Sequence, residues 1–513
     1  MTLPTTHREV ERKLRVHGMF DLPDLVAEGV AAGMTVVEPF TMRAVYHDTT
    51  ALTLFRWGIT LRRREGGSDE GWHMKLPVAG ADGSSRDELR LPLDAGPVGA
   101  VPGAFVEVIA PLLREQPLVA VVTLQTERAP RLVLAEDGHP LVELVDDVVS
   151  VFRDGRVISV FREIEIEAID ADDADCLDTI QRVADLLISM GAEPSSVSKA
   201  ASALGPRTAE PPDIPERPAP GPDGLAVDAI RSVLSQHVRH LLMADVGVRR
   251  DLPDAVHQMR VAARRLRSAM ATFAPLMQEE PALLLREELK WIASELGAIR
   301  DTEVMIERLD RHAGELDDEA DTERARLAID PLLGARLTAA RSGALAALRS
   351  DRHQQLVDDL MAAAIDPPVT DAAFAPCSEV LLPLVARTWR RLAKCIGDLE
   401  LDGPSPTWHA ARIKAKRARY SADAVAAIFG KDMQRYAERL SDVTELLGDH
   451  QDAHVAQVIL RELAAHAETD GLTGMSLGIL HEYEADEEIL DRYRFVELWP
   501  KARRDASSAG VRR

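Results

Sequence analysis

The chain has 513 residues, is 46% apolar and 28% charged, and carries a formal net charge of −23. That supplies apolar side chain for two or three cores and opposes non-specific attraction to nucleic acid or to an anionic membrane. Residues 1–220 hold 22 Lys and Arg against 36 Asp and Glu, and residues 221–513 hold 39 against 48, so any anion site must come from a few clustered bases.

The chain opens on Glu9-Val10-Glu11-Arg12-Lys13, and Glu163-Ile164-Glu165-Ile166-Glu167 repeats the alternation downstream. In a strand, residues i, i+2 and i+4 share a face, so each segment lines its carboxylates along one side and Val10, Ile164 and Ile166 along the other. A face with five carboxylates is either solvated or built around cations, because like charges at that spacing repel. Alternation predicts strands at Val10–Val16, Arg43–His47, Ile59–Arg64, Trp72–Leu76, Leu118–Leu124, Arg131–Leu134, Leu141–Val145 and Val157–Ala168. Helices are predicted at Leu22–Gly33 and Ala174–Met190. Residues 205–224, rich in proline from Pro206 to Pro222, read as a semi-rigid extended linker.

Beyond the linker, helical periodicity takes over. His257-x2-Arg260-x3-Arg264-Arg265-x-Arg267 recurs as His409-x2-Arg412-x3-Lys416-Arg417-x-Arg419. A second pair follows each histidine at nearly the same offset: Leu296-Gly297-x3-Asp301 and Leu447-Gly448-x3-Asp452. Two features recurring in one order predict a duplicated helical bundle with pseudo-twofold symmetry. Cys176, Cys377 and Cys395 have no paired or metal-ligand spacing. Glu9, Glu11 and Arg12 stand where a signal peptide needs an apolar core, and no apolar run approaches the ~20 residues that span a bilayer. The expected location is the cytoplasm.

In the first half, Arg62 and Arg64 share a strand face, and Lys75, Arg86, Glu88, Arg128, Asp147 and Lys199 add bases and acids at other strand ends. A barrel interior so charged is costly to desolvate unless it is occupied, which implies a highly charged ligand with a hard cation. The motifs Glu-x-Glu-x-Lys, Tyr46-x-Asp48-Thr49, Leu61-Arg62-Arg63-Arg64, Lys75, Arg86-x-Glu88, Arg128, the acidic end of Leu141–Asp147 and Glu163-x-Glu165-x-Glu167 together resemble the CYTH family, the triphosphate tunnel metalloenzymes. The resemblance covers residues 5–204. It implies an α+β domain, an eight-stranded antiparallel barrel with flanking helices. It further implies metal-dependent hydrolysis of tripolyphosphate or another triphosphate compound, with Mg²⁺ or Mn²⁺. Glu9, Glu11, Asp147, Glu163, Glu165 and Glu167 would be metal carboxylates; Glu9, Glu11 and Lys13 would serve catalysis. Arg62, Arg64, Lys75, Arg86, Arg128 and Lys199 would hold the phosphates. Asp147 is preferred to Asp146 because it lies four residues from Glu143 in the strand register.

In the second half, His257, Arg260, Arg264 and Arg267 fall on one helix face, and His409, Arg412, Lys416 and Arg419 on another. Bases without local counter-charges, made twice, suggest a groove for a long polyanion. These segments are similar to the CHAD family of conserved-histidine helical domains over roughly residues 225–505. That resemblance implies an all-α domain that binds inorganic polyphosphate, with Lys290 and Arg300 as added contacts. Lys416 departs from the arginine of the first repeat, and nothing in the second matches Arg300. Metal ligation by the histidines is the lesser alternative, since borderline metals are not ringed by arginine. The expected whole is a triphosphatase tethered to a polyphosphate-binding bundle. The alternatives are ATP cyclisation in the tunnel and a non-catalytic polyphosphate-binding or localisation protein.

Overall fold

The computed structural model describes residues 10–67, 69–78, 86–97, 99–153, 155–170, 172–465 and 470–512, so Glu9 lies outside the described residues. The chain divides into two units, residues 1–213 and 214–513. The first runs β1 (Glu11–Val16), β2 (Gly33–Val36), β3 (Phe40–Asp48), α1 (Thr53–Arg56), β4 (Thr60–Glu65), β5 (Gly71–Pro77), β6 (Arg86–Leu91) and α2 (Gly103–Leu113). It continues through β7 (Val119–Leu134), β8 (Pro140–Arg153), β9 (Arg156–Ala168), α3 (Ala174–Ser189), β10 (Glu193–Pro194) and α4 (Lys199–Leu204).

Eight longer strands form one antiparallel sheet in the order β1-β9-β8-β7-β3-β4-β5-β6, with the short β10 beside β1 and β2 beside β7. Period-two alternation decides which face each residue takes. Leu14 and Val16 of β1, Ile164 and Ile166 of β9, and Val142 and Leu144 of β8 are buried in one cluster with Ile180, Val183 and Leu187 of α3. Full burial of each such side chain contributes roughly 1.5–3 kcal/mol, which fixes the register. The residues between them are thereby forced onto the other, inner face. The sheet curls: Asp69, just before β5, acts electrostatically on Glu143 of β8 although β7, β3 and β4 lie between. One end of the inner face is apolar, with Ala44, Tyr46, Leu124, Val149 and Val151 packed on Ala200 of α4.

Two local expectations change, and one motif residue finds a structural role. The helix expected at Leu22–Gly33 is a turn centred on residues 25–29. Asp24 Oδ1 accepts the Val26 and Ala27 N–H groups, and Gly29 turns the chain at φ 71°. Pro23 and the side-chain competition for backbone donors outweigh the apolar periodicity. The two strands expected at Leu118–Leu124 and Arg131–Leu134 are one 16-residue strand, β7. Pro130 is tolerated inside it because that edge of β7 changes partner there, from Phe40 opposite Arg128 to Val36 opposite Arg131. The Pro130 carbonyl accepts from Val37 N in the connection, so no ladder bond needed the missing N–H. Asp48 of the Tyr46-x-Asp48-Thr49 motif is a capping residue: fully buried, it accepts from the N–H groups of Thr49, Leu54 and Phe55 and so seats α1.

The proline-rich segment divides at the unit boundary. Arg56 donates to the Pro211 carbonyl and pairs with Asp213 at 2.7 Å, whereas Arg239 donates to the Ile214 carbonyl at 2.7 Å and Ser232 to that of Arg217.

The second unit comprises α5 (Ala226–Arg249), α6 (Ala255–Phe273), α7 (Glu279–Ala313), α8 (Glu319–Leu348), α9 (Asp351–Ile365), α10 (Cys377–Gly397), α11 (Ser405–Phe429), α12 (Lys431–Ala464) and α13 (Gly471–Ser508). The two basic motifs open α6 and α11, which pack against each other, and the two Leu-Gly motifs fall in α7 and α12. Each motif pair is therefore one helical hairpin, made twice. Among the described residues no helix is long and apolar enough to cross a membrane.

Candidate functional site

The inner face of the first unit is built in rows across neighbouring strands. One row is Glu11, Glu167 and Glu143; the next is Lys13, Glu165 and Val145; the third is Arg15, Glu163, Asp147 and Arg128. Asp146 falls on the opposite face, where it pairs with Arg162 at 2.7 Å. Directly opposed residues in such rows are close enough for their side chains to interact.

The third row is bridged by a residue from outside the sheet. Ser198 caps α4 by accepting the Ala201 N–H, and the helix that plugs the apolar end of the face thereby delivers Lys199 to the charged end. Lys199 Nζ lies 2.7 Å from Asp147 Oδ2, 2.8 Å from Glu165 Oε1 and 3.0 Å from Glu163 Oε1. Arg128 donates to both oxygens of Asp147, at 2.9 and 2.7 Å, and at 2.8 Å to Glu165. Burial works against every charge here, but pairing wins for three of them. Lys199 is pushed up by Glu165, Asp147 and Glu163, and Arg128 by Asp147 and Glu165. Glu165 is held well below the usual carboxylate range by Lys199, Lys13 and Arg128 despite its burial. For Glu163, burial and the adjacent Glu165 outweigh Lys199, and its carboxyl is pushed up. Both Glu163 oxygens are buried without a well-aligned hydrogen bond from the described residues.

Lys13 pairs with Glu11 at 2.9 Å and Glu165 at 3.7 Å. Glu167 is half-buried between Glu11 and Glu143. Across the face, Arg62 lies 3.8 Å and Lys75 3.9 Å from Glu88 Oε1, and Arg64 pairs with Asp69. Arg86 begins β6, exposed, opposite Pro77. All the predicted residues of this unit that are described therefore stand on or at the margin of one face, with Asp147, Glu163, Glu165, Arg128 and Lys199 in direct contact.

Sequence reasoning passed over five more. Glu143 shares a row with Glu167; burial, Asp147 and Glu165 push its carboxyl up although Arg128 opposes them. Arg15 reaches Glu163 at 3.9 Å and Ser202 Oγ at 2.8 Å. His73 and Arg90 hold Glu88, at 3.1 and 2.7 Å. Tyr46 is buried beside Arg62, whose Nη1 is 3.5 Å from its hydroxyl. Burial raises that phenol, but Arg62, Arg64 and Lys199 bring it down overall. Glu143 and Arg15 were legible as i±4 and i+2 neighbours of chosen residues.

In the second unit, Arg260 does have a counter-charge: its Nη1 donates to Asp301 Oδ1 at 2.6 Å. Gly297 faces the Arg260 guanidinium and Gly448 faces that of Arg412, where an added Cβ would stand 3.7 Å away. The repeated Leu-Gly motif is thus the floor under the repeated arginine. Arg264 and Arg419 approach the Tyr420 ring from the two repeats, at 5.2 and 5.7 Å. The Nε atoms of Arg264, Arg412 and Arg419 and the Tyr420 hydroxyl are buried without a hydrogen-bond partner among the described residues. Burial and the neighbouring Arg286 push Arg267 down, and burial also lowers His257, which Arg300, Arg264 and Arg260 lower further against Asp254. His409 Nδ1 meets Gln451 Oε1 at 2.6 Å. Lys416 is half-buried beside Arg412, Arg264 and Arg260. Arg300 lies 3.8 Å from Glu303, and Lys290 is exposed, 3.6 Å from Glu287 and about 15 Å along α7 from Arg300.

Comparison with known proteins gives two family matches, the CYTH domain over residues 7–201 and the CHAD domain over residues 232–461. A protein of Mycobacterium tuberculosis (strain ATCC 25618 / H37Rv), Uncharacterized protein Rv2226, is 33% identical over 505 residues, 94% of each chain. Among solved structures, PptA from Streptomyces chartreusis is 24% identical with a TM-score of 0.48, covering 54% of this chain and 99% of its own. The CHAD domain from the plant Ricinus communis is 24% identical with a TM-score of 0.46, covering 58% of this chain and 96% of its own.

Proposed function

Since the chain belongs to the CYTH family in its first unit and to the CHAD family in its second, we propose that it hydrolyses tripolyphosphate or a related triphosphate compound and binds inorganic polyphosphate. The observation that carries the first half is the convergence of carboxylate oxygens from Asp147, Glu163 and Glu165 on a single ammonium, at 2.7–3.0 Å. Oxygens that close around one cation fit a hard divalent ion, which takes carboxylate ligands, and the buried Glu163 Oε2, which accepts no hydrogen bond from the described residues, fits it too. Asp147, Glu163 and Glu165, with Glu11 and Glu167 in the neighbouring rows, would hold Mg²⁺ or Mn²⁺, and Glu9 of the opening Glu-x-Glu-x-Lys motif would join them. When bound, that ion supplies charge neutralisation on the phosphate oxygens and a more acidic water.

The remaining work belongs to the chain's own bases. Arg62, Arg64, Lys75, Arg86 and Arg128 bind the phosphate oxygens, and Arg128 and Lys199 take up charge that develops as the phosphoanhydride bond breaks. Lys13, paired with Glu11 and Glu165, orients the terminal phosphate. In the second unit, the guanidiniums of Arg264, Arg412 and Arg419, whose Nε atoms have no hydrogen-bond partner among the described residues although Arg419 Nη1 donates to Thr444 at 3.0 Å, supply bidentate contacts for successive phosphates along a polymer, with Arg260, Arg267, His257 and His409 beside them. The three cysteines are free thiols, which suits a reducing cytoplasm.

Phosphate release from tripolyphosphate with Mg²⁺ or Mn²⁺ tests the catalytic half. Metal-dependent turnover should fall at least about 100-fold in a Glu9→Gln/Glu11→Gln variant. A folded protein that releases no phosphate, or that makes a cyclic nucleotide from ATP, would overturn it.

A further inference from the structure

The end of α7, with α12 and α13, encloses a cleft of about 270 Å³ to which neither basic helix, α6 or α11, contributes. Its lining contains no aliphatic side chain, and most of its bases are already engaged. Arg308 donates to Glu484 Oε2 at 2.8 and 2.7 Å, and His312 Nδ1 meets the other oxygen of that fully buried carboxylate at 2.7 Å. Arg494 donates to Asp491 Oδ1 at 2.9 Å and to Glu487 at 3.4 Å. The Tyr483 hydroxyl donates to Glu315. Arg311 and Asp449 act on each other without a printed bond's geometry, and with them five carboxylates face three guanidiniums. Negative charge is in excess. The Asp491 side chain is only 2% exposed, yet its Oδ2 is buried with no hydrogen-bond partner among the described residues. Burial, with Asp449 adding to it, pushes the Asp491 carboxyl up to about 6 against Arg494, and burial pushes Asp449 up as well. Both carboxylates lack a cation.

These acids are strung out instead of gathered. Tyr483, which carries Glu315 on its hydroxyl, then Glu487 and Asp491 stand four residues apart on α13. Acidic positions therefore follow the cleft at intervals of one helical turn, about 6 Å. A hard metal ion needs its oxygens at one point. A row at this interval instead suits ammonium groups separated by chains of three or four carbons. The Tyr483 ring, 4.7 Å from that of His312, adds a π face at one end. We infer that the cleft binds a linear polyamine. One terminal ammonium sits between Asp449 and the open Oδ2 of Asp491, the inner one at Glu487, and the far one at Glu315 and the Tyr483 ring. Each ammonium then replaces hydration with a charge-assisted hydrogen bond.

Spermidine titrated calorimetrically into the full-length protein at neutral pH and about 0.15 M salt, which screens scattered surface acids, tests it. One spermidine should bind per chain, and putrescine, which spans a single interval, about tenfold more weakly. Asp491→Asn should weaken spermidine about tenfold. Glu487→Gln, at a side chain that solvent already reaches, gives the same readout should Asp491→Asn fail to fold. Asp366→Asn, which removes an exposed carboxylate elsewhere on this unit, should leave the affinity unchanged. Several weak spermidines bound alike by the parent and all three variants would overturn the inference. Inorganic phosphate binding that is lost in Arg311→Gln, and that spermidine does not compete with in the parent, would overturn it too, by making the cleft an anion site.

Discussion

Lys199 and Asp147 meet at 2.7 Å with the Asp147 carboxylate fully buried, and the lysine belongs to α4 while the aspartate belongs to the sheet. The pair ties the plug helix to the charged face, and the same ammonium serves Glu163 and Glu165. Removing a partner from such a cluster leaves uncompensated charge, which costs more than the pair itself contributes. Lys199→Gln is therefore expected to lose about 3 kcal/mol of stability in the absence of divalent ions. Part of that loss should be recovered on adding Mn²⁺. Urea unfolding with and without the metal checks both, and unchanged stability would count against the cluster.

Glu88 gives a pH signature. Burial raises its carboxyl, but His73, Lys75, Arg62 and Arg90 outweigh this and hold it well below the usual range. A depressed folded value means stability fully present above the unfolded value of about 4.3 and lost as pH falls below it. Glu88→Gln should be less stable than the parent at pH 7, and the gap should close on titration below about pH 4.5. A gap that persists in acid would show that packing, not charge, accounts for it.

Glu143 shares its row with Glu167 and Glu11 and has no pairing cation within its own row. Glu143→Gln is expected to raise the divalent concentration needed for half-maximal phosphate release by about tenfold, with little change at saturating metal. A metal titration of the variant decides this.

Arg260 is engaged by Asp301 at 2.6 Å. Freeing the guanidinium with Asp301→Asn should tighten polyphosphate binding a few-fold at low salt, and the gain should shrink as salt screens it. Weaker binding would mean that Asp301 orients the arginine more than it competes for it.

Polyphosphate affinity should itself depend on pH. Burial and three guanidiniums lower Lys416 to about 7 in the free protein, and a bound polyanion raises it, so binding takes up a proton. Affinity is then greatest below pH 7 and falls as pH rises through 7. Lys416→Arg should flatten that fall while His257 and His409 remain. A binding series from pH 6 to 9 with long chains, whose terminal phosphates are few, measures the difference.

Face assignment was legible because a strand's period is local: Glu163, Glu165 and Glu167 fall on one side whatever the sheet does. The same rule separated Asp147 from Asp146. Which residues meet across strands depends on register, and register is fixed by Leu14, Ile164 and Val142 packing on α3, contacts that no local pattern reveals. His73 went unchosen for that reason, since it meets Glu88 across the β5–β6 pairing, whereas Glu143, four residues before Asp147, and Arg90, two residues after Glu88 on β6, were within reach of the local rule. Leu22–Gly33 misled because helical spacing of apolar residues was read without weighing Pro23 and Asp24. Pro130 misled in the opposite sense, since the gap between β2 and β3 that excuses it is a tertiary feature. Tyr420 directly follows the second basic motif and lies outside its spacing, although it stands between arginines of both repeats.

Asp213 and Ile214 are neighbours in sequence that answer to different partners. Asp213 neutralises Arg56 and Arg114, while Ile214 is fully buried and its carbonyl is held by Arg239. Anyone dissecting the chain with scissors should aim between these two residues. A cut at Gly205 would strip two arginines of their acid, and a cut at Gly224 would take the Ile214 carbonyl from Arg239 and the Arg217 carbonyl from Ser232. The proline-rich stretch is better treated as two hems than as loose thread.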